Sequence, residues 1–326
     1  MATALIGPTA SGKSEIALDI ARRLAGPGGV ELVSVDSMAV YRGMDIGTTK
    51  PSAAVRAEVP YHLVDLVDPD QEYTVTRFQE AARRVLRDID ARGGRALLVG
   101  GTGLYLRSVT DDLTFPGRFA EVAAGLTAEL DARGPEGSAE RLAGCADLHD
   151  RLAVLDPLGA SRIEPGNERR LVRALEVTLG SGRPFSSFGP GLERYPASRV
   201  TLLGVQRDTD ETDRRIGERF ARLMDEGFLD EVRALARRPG GLSRTARQAL
   251  GYRELLSHVE DGVPLDAAVD EAVRRTRAFA RRQRAWFRRD PRITWIDPDG
   301  DPVAAVIERL EAAGTDPVRD GTGVAR

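Results

Sequence analysis

The sequence predicts an α/β fold: a parallel sheet flanked by helices and interrupted by a mainly helical insertion. Three observations carry this reading. The segment Gly7-Pro8-Thr9-Ala10-Ser11-Gly12-Lys13-Ser14 fits G-x-x-x-x-G-K-[ST] and lies between an apolar stretch and a helical pattern. Apolar runs at Glu31 to Val35 and Ala96 to Val99 are separated by helix-type spacing, as in a parallel sheet covered on both faces. Between Pro116 and about Tyr195 the strand signals fade into alanine-, arginine- and glutamate-rich helical stretches.

In chain order, Ala4 to Ile6 reads as the first strand, and Ile16, Ala17, Ile20 and Leu24 as one face of the helix after the loop. Glu31 to Val35 is a second strand ending at Asp36. Phe78, Ala82, Val85, Leu86 and Ile89 mark a helix closed by Gly93-Gly94, and Ala96 to Val99 is the third strand. The helical insertion breaks at Gly134-Pro135 and Asp156-Pro157. Thr201 to Val205 returns as a core strand. Ile216, Phe220, Leu223, Phe228, Val232 and Leu235 keep helical spacing with a weak point at Gly227, and a last helix covers about Leu265 to Arg289. The expected domains are a P-loop-type core over 1–116 and 196–313, an insertion over 117–195, and a disordered, glycine-rich tail over 314–326.

Composition narrows the class. No run of about 18 apolar residues is present, so no membrane span is expected. A start that leads directly into a strand predicts no signal or transit peptide. One cysteine, Cys145, excludes an internal disulfide and a cysteine-rich zinc site, and the expectation is a cytoplasmic monomer. His62, His149 and His258 lack metal-ligand spacing and read as structural or surface residues. The net charge of −3 hides a split: 161–292 carries 27 arginines against 20 acids. Such asymmetry suggests that one region meets a polyanion.

The chemistry begins at the loop. Backbone N–H groups there form a concave anion site at a helix N-terminus. The chain has only two lysines, Lys13 and Lys50, and Lys13 stands where an ammonium would reach terminal phosphate oxygens. The Ser14 hydroxyl would ligate Mg²⁺. Ligands of such sheets bind outside the carboxyl ends of the strands, where Gly7, Asp36 and Gly100 converge. Asp36 could hold Mg²⁺ through water, act as a general base, or cap the turn into Ser37-Met38. Gly100 to Tyr105 permits close backbone approach to a ligand and offers the Thr102 hydroxyl.

Arg274, Arg275, Arg277, Arg281, Arg282, Arg284, Arg288 and Arg289 fall within sixteen residues that contain no acid, with Phe279, Trp286 and Phe287 interleaved. Arg274, Arg277, Arg281, Arg284 and Arg288 form one helical stripe. A stripe of like charges repels itself unless an anion lies along it, which points to nucleic acid. Arg169, Arg170 and Arg173 form a smaller cluster.

The segments 7–14, Asp36-Ser37-Met38, Val40 to Thr48, Gly100 to Leu106, Gln248 to Glu254 and Ala280-Arg281-Arg282-Gln283 together resemble the tRNA dimethylallyltransferase family, from about Thr3 to Trp295. The motif Ile46 to Pro51, which includes Lys50, also falls in that pattern. The resemblance implies transfer of a dimethylallyl group from dimethylallyl diphosphate to the N6 amine of the adenosine 3′-adjacent to the anticodon. It assigns the diphosphate to Gly7 through Ser14 and to Arg219. Asp36 would orient the amine and accept its proton, and Thr102 would contact the target and the leaving oxygen. The target base would be flipped out of the anticodon loop into a channel. tRNA contacts are implied for Asp36, Ser37, Met38, Ala39, Thr102, Arg169, Arg170, Arg173, Gln248, Gly251, Tyr252 and Arg253. The stripe residues Arg277, Arg281 and Arg284 suit a single-stranded loop by guanidinium stacking.

Two departures stand out. Ala39 replaces a glutamine that contacts tRNA in relatives, and Ala285 replaces a threonine before Trp286. The zinc-finger extension of eukaryotic relatives is not found. Competing expectations are a small-molecule or nucleotide kinase, a transferase acting on free AMP or ADP, and a non-catalytic RNA-binding protein. The long Val40 to Pro51 motif and the arginine stripe argue against the first, and the insertion together with the stripe against the second. The phosphate loop beside a carboxylate argues against the third.

Overall fold

The structure, a computed structural model, describes residues 2–189 and 191–315. The chain divides into two compact units, Met1–Asp111 with Ala197–Arg326, and Asp112–Pro196.

The first unit begins with β1 (Ala2–Ile6), α1 (Lys13–Arg23), β2 (Val30–Val35), α2 (Ala53–Glu58), β3 (Tyr61–His62), α3 (Val75–Ala91), β4 (Arg95–Gly100) and α4 (Gly103–Thr110). The second unit holds α5 (Ala120–Asp131), α6 (Ala139–Leu155), α7 (Pro157–Ala160) and α8 (Glu168–Ser181). The chain then returns to the first unit with β5 (Thr201–Val205), α9 (Thr209–Asp225), α10 (Phe228–Ala236) and α11 (Arg244–Arg247). It ends with α12 (Tyr252–Asp261), α13 (Leu265–Arg288), β6 (Thr294–Ile296) and α14 (Pro302–Thr315).

The described residues of the first unit form a six-stranded sheet in the order β3-β2-β4-β1-β5-β6, parallel throughout. This is the expected P-loop NTPase-like sheet flanked by helices. Because side chains alternate along a strand, β1 sends Ala4 and Ile6 to one core and Leu5 to the other. The first core packs under α3, α9, α10, α12 and α13, with Phe78, Phe220, Phe228, Tyr252 and Phe287 filling it. The second lies between the sheet and α1 and α14, through Ile16, Ile20, Val306 and Leu310. The register fixes the functional edge: Ile6 pairs with Gly100 and with Gly204, and Val35 pairs with Gly100. Loops after β1, β2, β4 and β5 therefore leave the sheet at one level.

Several elements differ from the sequence expectation. The two-residue strand β3 makes Arg95–Gly100 the fourth strand, not the third. The helical pattern from Ile216 to Leu235 is two helices, because Gly227 turns the chain at φ 95° between α9 and α10. Neither β6 nor α14 was expected as a separate element. The expected tail over 314–326 lies outside the described residues beyond Thr315.

The second unit has its own core, built from Leu126, Leu130, Cys145, Leu148, Leu152, Leu171 and Leu175. Buried Asp156 starts α7 by accepting from Gly159 N at 2.9 Å, and it also takes the Ser186 amide at 2.7 Å. No helix among the described residues is long and apolar enough to cross a membrane.

Candidate active site

The phosphate loop leaves β1 at Gly7, where a Cβ would stand 2.1 Å from the Val205 carbonyl oxygen. Only glycine fits so close to the neighbouring strand. Ala10 and Gly12 take positive φ of 63° and 92°, which curls the loop before α1 begins at Lys13. Gly12 caps that helix without a side chain, so the first-turn amides are left to an outside acceptor. Ser11 Oγ is buried and has no hydrogen-bond partner among the described residues. A buried hydroxyl left unpaired costs about 1–3 kcal/mol, so this loop is built for a ligand that supplies the missing partner. Ser14, one residue into the helix, is exposed.

Lys13 Nζ donates to the Pro8 carbonyl at 3.0 Å, folding back over the loop it follows. Its pKa is lowered to about 8, first by burial, then by the Arg219 charge, with Asp36 opposing. Its side chain keeps partial solvent contact, but the atoms packed around it remove most of its hydration. Arg219, on α9, donates to Thr9 Oγ1 and to Thr49 Oγ1, each at 3.0 Å. Its pKa is also lowered by burial, with Asp36 again opposing and Arg222 adding to the shift. Two cations held close together in a poorly hydrated site call for a polyanion between them.

Asp36 lies just past β2. Its Oδ1 accepts from Met38 N at 2.7 Å and from Ala39 N at 3.3 Å. The turn-capping role is thus present, and it uses one carboxylate oxygen. Among the described residues Oδ2 takes no hydrogen bond, so it stays available to a ligand. Thr102, at the start of α4, accepts from Ser37 N at 3.2 Å through its hydroxyl oxygen. The hydroxyl proton remains free to be donated. Ser37 and Met38 are half-buried, while Ala39 is buried with its methyl group in the protein.

The anchoring roles of three residues escaped the sequence reading, although Gln283 and Lys50 lie in its motifs. Gln283 on α13 accepts from Thr9 N at 2.9 Å and donates to Gly101 O at 2.8 Å. Glu231 on α10 accepts from Asp45 N and Ile46 N at 2.8 Å, Gly47 N at 3.2 Å and the Tyr252 hydroxyl at 2.6 Å. Lys50, its side chain 2% exposed, pairs with Asp45 and Asp65 at 2.7 Å each. The second lysine is therefore a buried strut that holds the Val40 to Pro51 motif. The partners of Gln283 and of the Glu231 carboxylate in the 45–47 turn are distant in sequence, so no local pattern reports them, whereas Lys50 bonds the nearby Asp45 and Asp65.

Some expected RNA contacts are corrected. Tyr252 is 1% exposed, and burial together with Glu231 pushes its phenol pKa upward, so it is a core residue with no face for a base. Gly251 is buried at φ 83°, packed against Phe228, while Gln248 and Arg253 beside them are exposed. Arg169 and Arg170 are exposed at the start of α8. Arg173 instead braces its own unit, pairing with Glu176 at 2.7 Å and donating to the carbonyls of Pro116 and Gly117 at 2.9 and 3.1 Å.

The arginine stripe is not uncompensated, because α9 and the turn before it supply acceptors. Arg277 donates to the Asp213 carbonyl at 3.1 Å, and Arg281 pairs loosely with the Asp213 carboxylate at 3.3 Å. Arg284 donates to Thr209 Oγ1 at 2.6 Å and to the Arg207 carbonyl. Arg281, Arg282, Arg288 and Arg289 are exposed. Of the interleaved aromatics, Phe287 is core, Trp286 packs where a Cβ on Gly103 would stand 2.1 Å from its Nε1, and half-buried Phe279 has the Arg282 guanidinium 5.8 Å from its ring centroid.

Among the described residues, no group of three or more His, Cys, Asp or Glu is placed to hold a metal.

Residues 39–290 match the family described as IPP transferase. A tRNA dimethylallyltransferase of Desulforudis audaxviator is 42% identical over 306 residues, 93% of this chain and 94% of that protein. Another, from Kineococcus radiotolerans, is 44% identical over 314 residues, 94% of this chain and 95% of that protein. The crystal structure of the full-length tRNA isopentenylpyrophosphate transferase of Bacillus halodurans superposes with a TM-score of 0.65 at 33% identity, covering 96% of this chain and 97% of that one. With the loop, the carboxylate and the paired cations arranged at one sheet edge, the chain belongs to the IPP transferase family, that of the tRNA dimethylallyltransferases.

Proposed function

We propose that this chain transfers the dimethylallyl group of dimethylallyl diphosphate to the N6 amine of the adenosine 3′-adjacent to the anticodon in tRNA, releasing diphosphate. It is a prenyltransferase that acts on tRNA. The observation that carries the reading is the placement of two desolvated cations, Lys13 and Arg219, against a phosphate loop whose Ser11 hydroxyl lacks a partner. Asp36 lies within electrostatic reach of both.

In the reaction the bond between the allylic carbon and the diphosphate oxygen breaks, and a bond from that carbon to N6 forms. Negative charge grows on the diphosphate as it leaves. Loop amides, Lys13 and Arg219 would take that growing charge, the two cations exchanging the Pro8 carbonyl and the Thr9 and Thr49 hydroxyls for the diphosphate, which stabilises the transition state. Asp36 Oδ2 accepts the proton that N6 gives up, while Oδ1 keeps the turn in place. The Thr102 hydroxyl, its oxygen engaged by the Ser37 amide, donates to the leaving oxygen.

Mg²⁺ fits the donor set, because it favours few protein ligands and keeps waters and substrate phosphates. Ser14 would hold it, and when bound it would neutralise diphosphate charge. Arg169, Arg170, Gln248, Arg253 and Arg281 offer exposed cationic or amide groups to the anticodon loop, each within its own unit. The reading includes a cytoplasmic monomer. The test is mass spectrometry of nuclease-digested tRNA after incubation with the chain, Mg²⁺ and dimethylallyl diphosphate. The expected product is one dimethylallyl group on the adenosine next to the anticodon, and unmodified tRNA under conditions where the protein is folded would refute the proposal.

A further inference from the structure

Transfer requires the loop that holds the leaving diphosphate and the edge that carries the acceptor's base to keep one fixed register. Among the described residues one buried side chain bonds to both. Gln283 is 8% exposed and accepts from Thr9 N at 2.9 Å while its Nε2 donates to Gly101 O at 2.8 Å. Thr9 belongs to the phosphate loop and also takes the Arg219 guanidinium on its hydroxyl at 3.0 Å. Gly101 precedes Thr102, whose hydroxyl accepts from the amide of Ser37, the residue after Asp36. The path from donor to base therefore runs Thr9, Gln283, Gly101, Thr102, Ser37, Asp36.

The chemistry of the link explains why a carboxamide stands there. One end must accept from an amide and the other must donate to a carbonyl, and a neutral amide of this length does both without carrying charge. A carboxylate would set negative charge against the Gly101 carbonyl. An apolar chain would fill the space but leave both backbone groups unpaired in a buried site, at a desolvation cost. The fit at Gly101 is close: a Cβ there would stand 2.4 Å from Nε2, so the turn has come as near to the amide as glycine allows.

We infer that Gln283 is a positioning residue for the transfer, holding the phosphate loop and the Thr102–Asp36 edge at the separation the reaction needs. The inference rests on the function proposed above. It differs from a packing role in what it predicts for an isosteric change. Gln283→Met fills the same space without either hydrogen bond, and Gln283→Glu keeps acceptance from Thr9 N but loses donation to Gly101.

The experiment compares wild type, Gln283→Met and Gln283→Glu by thermal unfolding, by calorimetric affinity for inorganic diphosphate with Mg²⁺, and by single-turnover transfer at saturating dimethylallyl diphosphate and tRNA. Both variants should stay folded and bind diphosphate within about threefold of wild type. Their transfer rate should fall by about 10- to 100-fold, the scale of a misplacement of about 1 Å. Wild-type transfer rates in either folded variant would overturn the inference, as would a loss found only in diphosphate affinity. If the wild-type chain transfers nothing, the functional reading fails and takes this inference with it.

Discussion

Arg219 donates to the Thr9 hydroxyl at 3.0 Å, and its other terminal nitrogen reaches Thr49 Oγ1 at the same distance. One guanidinium thus ties α9 to the phosphate loop and to the end of the Val40 to Pro51 motif. Two neutral hydroxyls hold it, and they are modest partners for a charge. A diphosphate is a stronger partner in the same place, since charge-assisted hydrogen bonds are roughly twice as strong as neutral ones.

Replacing Arg219 should therefore weaken both binding and chemistry. Arg219→Ala is expected to lower kcat/KM for dimethylallyl diphosphate by about 10²–10³-fold, as for loss of one charge-stabilising donor. Steady-state kinetics with varied donor would check this, and kinetics within twofold of wild type would remove Arg219 from the donor site.

Lys13 gives the site a pH signature. Its pKa in the free protein is lowered to about 8 by burial and Arg219. In the proposed reaction the charged form would bind the diphosphate, and binding would raise the pKa again. Affinity linked to Lys13 is thus fully present below about pH 8 and is lost as pH rises through it, by up to about tenfold per pH unit. Donor titrations between pH 7 and 10 should show this break in wild type and not in Lys13→Met.

Glu231 should matter for stability more than for catalysis. It satisfies the amides of Asp45, Ile46 and Gly47 and the Tyr252 hydroxyl at once. Glu231→Ala leaves those donors unpaired and should destabilise the first unit by about 2–4 kcal/mol. Urea unfolding followed by tryptophan fluorescence would measure it, and a change below about 0.5 kcal/mol would contradict the anchor role.

Arg281 and Arg284 share a stripe yet should behave differently. Arg281 is exposed with a loose partner at 3.3 Å, whereas Arg284 is bound to Thr209 and the Arg207 carbonyl. Arg281→Ala should reduce the slope of log tRNA affinity against log salt by about 0.7 to 0.9. Arg284→Ala should lower thermal stability with a smaller effect on that slope. Equal slopes for wild type and Arg281→Ala would show that this arginine meets no phosphate.

What could be read from the sequence was what repeats locally. The phosphate loop is contiguous, and the apolar runs of β2 and β4 fill both faces of a parallel sheet, so their periodicity gave the fold class. Gly227 was visible as a weak point because glycine alone takes φ near 95° without cost, although the helical spacing continues across it. Helix α14 carried a readable start, Asp301-Pro302, where the Asp301 side chain accepts from Ala304 N at 2.9 Å. Its face against the sheet, Val303, Val306 and Leu310, also keeps helical spacing, so this helix was legible. Gln283 and Glu231 could not be read, since each bonds residues far along the chain. The stripe was misjudged largely for the same reason: the acceptors of Arg277, Arg281 and Arg284 lie on α9 and the turn before it, while Arg274 pairs with Glu271 one turn earlier on its own helix.

The central claim is that Asp36 is the base facing a leaving diphosphate, and Asp36→Asn tests it most directly. Asparagine keeps an acceptor for the amides of Met38 and Ala39, so the turn should survive while the base is lost. Single-turnover transfer to tRNA at saturating dimethylallyl diphosphate should slow by about 10²–10⁴-fold, with donor affinity within about threefold of wild type. Undiminished transfer at saturation, with donor binding lost instead, would show that Asp36 retains the metal and does not take the proton.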